Sequence, residues 1–311
     1  MFKKSLFVLV ALIVAFFSYL LLRPSLIVPK EQVIAELQKS CSKFFRWNNT
    51  AIHYTDEGTG IPLLLVHGLA GSHRDFQKIT DLFDLTKYRI IRVDLPGFGL
   101  SDYPQGEDDH LEVYQTFMRD FETHLLLKQY YLLGHSMGGG ISLMAAIDRP
   151  ENIKGLILCA SAGYDMQQTR KNAASLFRFN FAEKLFAKGV PLWMNQNTVN
   201  RVNFNPEIIS EDEVKIKNRL WNKEGNLASI FRMAQIEKFP DEKIISAIKV
   251  PTLVLWGKQD KITDVKYAAY FDRDIKDCEV AVYDSCGHIP FIEKAERVKT
   301  DMERFIERTN H

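Results

Sequence analysis

Apolar residues along this chain form short continuous runs that alternate with stretches of helical spacing. A continuous run covers residues 61–66, and further largely apolar strand candidates cover 88–93, 130–133 and 154–160. An unbroken apolar run of strand length is typical of a strand buried on both faces of a parallel sheet. Between them, residues 111–128 place apolar side chains along one helical face. The alternation predicts a mostly parallel sheet with helices on both faces.

A β-hairpin is predicted ahead of the parallel strands. Residues 44–47 and 51–55 are two short strand candidates, and Asn48 and Asn49 stand between them. Asparagine tolerates the positive φ angles that a tight hairpin turn requires. We therefore expect an antiparallel hairpin before the first buried strand.

The alternation fails between residues 161 and 249, where aromatic helical stretches occur without a good buried strand. Strands resume at 250–256 and 279–284, and a helix over 292–308 closes the chain. The middle segment is therefore predicted to be a helical insertion. Ligand sites in open α/β sheets lie at the carboxyl ends of strands, which favours a lid over a pocket. The alternative is a small satellite core with no role in substrate binding.

The N-terminus carries the longest apolar run of the chain. Residues 6–22 are apolar except for Ser18, with Lys3 and Lys4 before the run and Arg23 after it. The run predicts an uncleaved single-pass membrane anchor, with a cleaved signal peptide or a buried helix as alternatives. The preceding lysines predict an extracytoplasmic catalytic domain, periplasmic in a bacterium.

These patterns divide the chain into four parts. The predicted domain organisation is an anchor at 1–23, a connector at 24–43, an α/β core formed by 44–160 and 250–311, and a helical lid at 161–249.

Composition and charge exclude several classes of function. The 311 residues are 46% hydrophobic and 25% charged, which is ordinary for a globular protein. With 40 basic and 39 acidic residues the net charge is +1, so nucleic acid is not expected as a partner. The four cysteines are scattered, without the spacing of a zinc site. We expect no metal, no cofactor and a small-molecule substrate, and the oligomeric state stays open.

The main chemical signal is a Gly-x-Ser-x-Gly motif at the end of the strand that begins at residue 130. Ser136 lies between Gly134 and Gly138 and directly before a predicted helix. A turn this sharp holds the serine at a strained positive φ, and its neighbours two positions away leave no room for a β-carbon. The backbone N–H of Met137 then points from the helix start toward a site that could hold an oxyanion.

A serine nucleophile needs a base and an acid, and two strand ends supply them. His288 follows the last strand, and Asp260 follows the strand that resumes the sheet. Their order along the chain is Ser, Asp, His, each at the carboxyl end of a different strand, which predicts a catalytic triad. Asp264 is a weaker candidate for the acid, and Asp94 is better interpreted as a loop-closing residue.

Five motifs together resemble those of the α/β-hydrolase fold serine hydrolases, in the esterase and lipase branch, similar to monoacylglycerol lipases and related to carbon–carbon bond hydrolases. The resemblance covers residues 44–308. The motifs are His67-Gly68 with Gly71, the loop 94–102 (DLPGFGLSD), the elbow Gly134-His135-Ser136-Met137-Gly138, Gly257-Lys258-Gln259-Asp260 and Gly287-His288-Ile289-Pro290.

The resemblance implies a role for each matching residue. Ser136 would attack the substrate, His288 would act as base and then acid, and Asp260 would orient the imidazole. The oxyanion hole would be formed by the backbone N–H groups of Leu69 and Met137. His67 and His135 are expected to support their loops rather than to react.

The predicted function is hydrolysis of carboxylic esters, with apolar acyl esters or acylglycerols as substrates presented near a membrane. Members that open epoxides or displace halides carry an aspartate at the position of Ser136, so those reactions are disfavoured. A carbon–carbon bond hydrolase of the meta-cleavage type and an acyltransferase remain alternatives. A non-catalytic binding protein is disfavoured by the intact triad.

Overall fold

The chain folds around an eight-stranded sheet in a computed structural model. The structure describes residues 22–104, 111–164, 186–235 and 242–310, together with residues 10, 11, 15, 17–19 and 184. The strands are β1 (Ser42–Trp47), β2 (Thr50–Gly58), β3 (Ile61–Val66), β4 (Tyr88–Val93), β5 (Tyr130–His135), β6 (Ile153–Cys159), β7 (Thr252–Gly257) and β8 (Cys278–Tyr283). Their spatial order is β1-β2-β4-β3-β5-β6-β7-β8.

Two antiparallel strands lead into six parallel ones. Strand β2 pairs antiparallel with both β1 and β4, and all later pairings are parallel. The predicted hairpin is present: Asn48 and Asn49 have φ angles of 43° and 59° between β1 and β2. The hairpin, followed by six strands that pair parallel to one another, confirms the predicted α/β-hydrolase architecture with a mostly parallel sheet.

Helices cover both faces of the sheet. Strand β3 shows the division, since Leu64 and Val66 join the hydrophobic cluster on one face and Leu63 and Leu65 join the cluster on the other. Side chains that alternate along a strand point to opposite faces, so a continuous apolar run can fill two cores.

Most helices occupy predicted segments with shifted ends, whereas the helix between β7 and β8 was not predicted. They are α1 (Lys30–Leu37), α2 (Gln77–Thr80), α3 (Leu111–His124), α4 (Met137–Asp148), α5 (Leu192–Val202), α6 (Glu211–Trp221), α7 (Asn226–Gln235), α8 (Lys266–Asp274), α9 (Pro290–Glu293) and α10 (Ala295–Thr309). The predicted C-terminal helix is split into α9 and α10 because Lys294 leaves the helical conformation, with φ −132° and ψ 37°. Ser72 starts the helical segment after β3 with a capping box, as expected.

Three described helices, α5, α6 and α7, lie between β6 and β7 in the segment predicted as a lid. Residues 165–183, 185 and 236–241 of that segment lie outside the described residues. Whether 161–249 works as a separate lid stays a prediction.

The end of the predicted anchor and the connector that follows it both contact the segment predicted as a lid. The Arg23 guanidinium donates to the carbonyls of Lys188 and Gly189. Further along, Arg219 of α6 forms a two-point ion pair with Glu36 of α1, at 2.7 and 2.9 Å. The connector therefore attaches part of the lid segment to the core.

The predicted localisation, a single-pass membrane anchor with an extracytoplasmic domain, is corrected. Among the residues that the structure describes, no helix has the length and apolarity needed to cross a membrane. The predicted anchor at 6–22 falls largely on residues outside that description.

Candidate active site

Ser136 stands at the turn between β5 and α4 in a strained conformation. Its φ is 52° and its ψ is −116°, so a non-glycine residue occupies the left-handed side of the map. A β-carbon at Gly134 would lie 2.5 Å from the Gly138 carbonyl, and one at Gly138 would lie 2.4 Å from the His67 carbonyl. Both glycines are therefore required by close backbone approach, as the sequence indicated.

His288 lies on the loop between β8 and α9 and is fixed by three contacts. Its Nδ1–H donates to the Asp260 carboxylate, with 2.7 Å between Nδ1 and Oδ2. Its backbone N–H donates to the carbonyl of Val202 in α5 at 2.7 Å, and its own carbonyl accepts from His135 Nε2 at 3.0 Å. With Nδ1 held by a carboxylate, Nε2 is left as the reactive nitrogen of the ring.

Asp260 follows β7 and is surrounded by hydrogen-bond donors. Its Oδ1 accepts the backbone N–H groups of Ile262 and Thr263, at 2.7 and 3.0 Å, and its Oδ2 accepts the Thr263 hydroxyl at 2.7 Å. Burial would raise the pKa of Asp260, but the nearby His288 and these hydrogen bonds outweigh it and lower the pKa below the usual value. The group is therefore held as a carboxylate.

A pocket with a volume of about 270 Å³ opens beside these residues. Ser136, His288 and Leu69 all line it, while Asp260 lies behind His288. Leu69 is 40% exposed, and Met137 is buried with its backbone N–H in the first turn of α4. The structure thus gathers Ser136, His288 and Leu69 at one pocket, with the positive end of a helix dipole next to the serine.

The two other histidines at this edge are held by their loops. His67 Nδ1–H donates to the Gly68 carbonyl at 2.8 Å, and its Nε2 accepts from the Leu95 backbone at 3.0 Å. Burial, followed by the neighbouring His288, lowers the pKa of His135 to about 3, so that ring stays neutral.

Asp94 belongs to a separate buried cluster with two histidines. Its Oδ2 lies 2.8 Å from His53 Nδ1 and 2.9 Å from His73 Nδ1. Backbone N–H groups of His73 and Leu100 also donate to it, at 2.6 and 2.9 Å. Burial would raise the pKa of Asp94, but the two histidines outweigh it and lower the pKa well below the usual range.

Among the described residues, His53, His73 and Asp94 form the group whose side chains are close enough together to hold a metal ion. Both Asp94 oxygens already accept backbone N–H groups, and both histidines donate Nδ1–H to the same carboxylate. An ion would have to displace those ring hydrogen bonds, so the donors present fit a hydrogen-bond network better than a metal centre, although His73 Nε2 has no partner among the described residues.

The remaining acid candidate lies elsewhere. Asp264 is half exposed and caps the segment before α8, accepting the Lys266 backbone N–H at 3.0 Å. Sequence reasoning missed the hydroxyl of Thr263, three residues after Asp260, which contacts the carboxylate. A hydroxyl residue shortly after an aspartate in a turn was the available signal.

The pocket is also lined by residues of α6 that no motif marked, Lys217 and Trp221. Lys217 Nζ lies 3.5 Å from Asp75 Oδ1 of the core. The Trp221 indole donates to the Ala70 carbonyl at 2.7 Å. These contacts join α6 to the loop that carries Leu69.

Comparisons with known proteins agree with this architecture. The sequence profile of the alpha/beta hydrolase fold matches residues 61–295. The chain is 28% identical over 262 residues to Lipase 1 of Psychrobacter immobilis, covering 81% of this chain and 79% of that protein. It is also similar to the solved structure of a putative lipase from Acinetobacter baumannii AYE, with TM-score 0.74, 25% identity and coverage of 90% and 95%.

A further solved structure is similar in fold. It is a meta-cleavage product hydrolase from Pseudomonas fluorescens IP01, with TM-score 0.73 and 17% identity, covering 86% of this chain and 97% of that one.

Proposed function

The chain belongs to the α/β-hydrolase fold family, and from that premise we propose that it is a serine hydrolase of carboxylic esters acting through an acyl-enzyme. The observation that carries the proposal is the 2.7 Å contact between His288 Nδ1 and Asp260 Oδ2, beside a strained Ser136 at the same pocket. The positions of these residues after β5, β8 and β7 support the assignment of Ser136 as nucleophile, His288 as base and Asp260 as acid.

In the proposed reaction the Ser136 oxygen attacks the ester carbonyl while its proton passes to His288 Nε2. The backbone N–H groups of Leu69 and Met137 stabilise the oxyanion that forms. The imidazolium of His288, paired with Asp260, then gives its proton to the leaving alcohol. Water, deprotonated by His288, releases the acid and restores Ser136.

The walls of the pocket favour an apolar acyl group. Val202, Ile230, Ile262 and Ile289 line it around the serine. Burying a methylene stabilises a complex by about 0.8 kcal/mol, so these walls reward hydrocarbon on the substrate. The similarity to proteins named as lipases points the same way, and we propose apolar acyl esters or acylglycerols as the substrate class.

The test is hydrolysis of p-nitrophenyl esters from acetyl to palmitoyl by the purified protein and by Ser136→Ala. We expect turnover by the wild-type protein and a loss of about 10⁴-fold or more in kcat for the variant. Ser246→Ala is a matched control, because this exposed serine hydrogen-bonds only the Lys243 carbonyl. Equal turnover by Ser136→Ala would refute the mechanism.

A carbon–carbon bond hydrolase is the second candidate, favoured by the fold similarity to a meta-cleavage product hydrolase. The same three residues could serve that reaction. A vinylogous 1,5-diketone acid assayed beside the esters separates the two candidates: efficient cleavage of the diketone with no ester turnover would favour the second.

A further inference from the structure

A second cavity, which we call the inner cavity, adjoins the active-site pocket beneath α6. Its volume is about 110 Å³, against about 270 Å³ for the pocket that holds Ser136. The two share six wall residues, which are Ala70, Asp75, Val202, Lys217, Trp221 and Ile289. The two cavities therefore lie next to each other, on either side of a common wall.

The shared wall holds two charged groups that neutralise one another. Lys217 Nζ lies 3.5 Å from Asp75 Oδ1, and the side chains are 23% and 18% exposed. Asp75 is fixed on the core, since its other oxygen accepts the Ser72 backbone N–H at 3.1 Å. With its ammonium turned to Asp75, Lys217 presents an aliphatic stem at the junction.

Beyond this ion pair the inner cavity is mostly apolar. Its far walls include Val199 of α5, Ile216 and Leu220 of α6, Ile209 and Ile292. An apolar cavity of about 150 Å³ is known to stay dry and to take up benzene, so one of this size has room for roughly four carbons. Arg74, Gln77, Asn203 and Glu213 also line the cavity, so an alkyl group would pack against the isoleucine, leucine and valine side chains.

We propose that the inner cavity is the subsite for the far end of the substrate's acyl chain, a proposal that rests on the ester hydrolysis proposed above. The chain enters from the pocket at Ser136, crosses the wall at Lys217 and Trp221, and ends against Ile209. Ala70, which follows Leu69, is part of the shared wall, so the inner cavity opens next to the proposed position of the acyl carbonyl. The structure thus assigns a preference for medium over short acyl chains.

The test fills the inner cavity without touching the catalytic residues. Ile209→Trp adds bulk at its wall, and Ile208→Trp makes the same change one residue earlier, where the side chain lines neither cavity. Both positions are half buried in the wild-type chain. The quantity measured is the ratio of kcat/KM for the decanoyl p-nitrophenyl ester to that for the butyryl ester.

We expect Ile209→Trp to lower this ratio by at least about tenfold, because each buried methylene contributes about fourfold (~0.8 kcal/mol). Ile208→Trp is expected to keep the wild-type ratio. An unchanged ratio in Ile209→Trp, with the wild type active on both esters, would overturn the subsite while leaving ester hydrolysis intact.

Calorimetric titration with decanoate gives a second measure that needs no turnover. The wild type and Ile208→Trp should bind decanoate at least about tenfold more tightly than Ile209→Trp does. Equal binding by all three would reject the subsite. A wild type that hydrolyses no ester would refute the proposed function, and the titration would still decide whether the inner cavity takes an alkyl chain.

Discussion

The described part of the chain holds two aspartate–histidine clusters with similar contact distances, one beside the pocket at Ser136 and one buried away from it. His288 lies 2.7 Å from Asp260, and His53 lies 2.8 Å from Asp94. Both carboxylates are buried and have a lowered pKa. The pair at the pocket shares it with Ser136, whereas the Asp94 cluster is sealed by packed side chains.

The difference shows what makes such a pair reactive. In the Asp94 cluster the carboxylate accepts from two histidines and two backbone N–H groups, and both rings are buried away from any substrate. In the Asp260 cluster the carboxylate holds one histidine, and the far nitrogen of that ring is left for a proton transfer. We therefore expect a substitution in the Asp260 cluster to lower kcat and a substitution in the Asp94 cluster to lower the free energy of unfolding.

The largest expected effect is on catalysis. Asp260→Asn should lower kcat by about 10⁴-fold, because an amide stabilises the wrong tautomer of His288 and no imidazolium. The Asn oxygen can still accept the Ile262 and Thr263 backbone N–H groups, so the free energy of unfolding should fall by only about 1–2 kcal/mol. Steady-state kinetics and urea unfolding measure the two quantities, and a kcat near that of the wild type would remove Asp260 from the mechanism.

The reverse pattern is expected for Asp94→Asn. The new amide places N–H₂ against donors that previously met a carboxylate, which should reduce the free energy of unfolding by about 3–5 kcal/mol. The kcat of the remaining folded protein should be unchanged, because Asp94 lies outside the pocket at Ser136. A stable Asp94→Asn protein with lost activity would contradict the distinction between the clusters.

Low pH should reduce the free energy of unfolding through one buried histidine in each region, His73 beside Asp94 and His135 beside Ser136. Burial lowers the pKa of His73, and that of His135 falls to about 3. In the unfolded chain these rings take up protons below about pH 6.5, whereas burial makes each ring harder to protonate in the folded protein. The contribution of these rings to the free energy of unfolding is therefore complete above about pH 6.5. It falls as the pH drops toward the folded-state pKa, by up to about 1.4 kcal/mol per pH unit for each ring.

Urea unfolding at pH 7.5, 6 and 5 checks this dependence. The wild type should lose stability at each step, and His73→Gln should show a shallower loss. His124→Gln, at an exposed histidine, should keep the wild-type slope. Burial raises the pKa of Glu122 to about 7, which opposes the histidines in this range, so the difference between slopes is the test. Equal slopes in the wild type and His73→Gln would mean that the His73 ring does not cause the loss.

The smallest effects concern one hydroxyl in each cluster. Thr263 donates to Asp260 at 2.7 Å, and Ser42 lies 2.8 Å from His53 Nε2. Each hydrogen bond should contribute about 1 kcal/mol. Thr263→Val is expected to lower kcat about fivefold, and Ser42→Ala to lower only the free energy of unfolding. Equal kcat in both variants would place Thr263 outside catalysis.

Much of the fold followed from local patterns. The unbroken run at 61–66 predicted β3 with its observed bounds, because burial on both faces leaves no polar position in a strand. The glycines on either side of Ser136 predicted the strained elbow, because a β-carbon at either position would clash with nearby atoms. The break at Lys294 was missed, since the apolar spacing continues through it and only tertiary packing separates α9 from α10.

The contacts that distinguish the two clusters could not be predicted in the same way. His53 lies on β2, His73 follows β3, and Asp94 follows β4. Strand β4 lies between β2 and β3 in the sheet, and this order brings both rings to Asp94. The inner cavity likewise depends on how α6 packs on the core. Such contacts join distant parts of the chain and leave no spacing in the sequence.

The most direct measurement of the central distinction is labelling by a fluorophosphonate, which bonds covalently to an activated serine, followed by peptide mass spectrometry. The account predicts one adduct on Ser136, formed at the wild-type rate in folded Asp94→Asn and far more slowly in Asp260→Asn. An adduct on another serine, or equal rates in both variants, would contradict it.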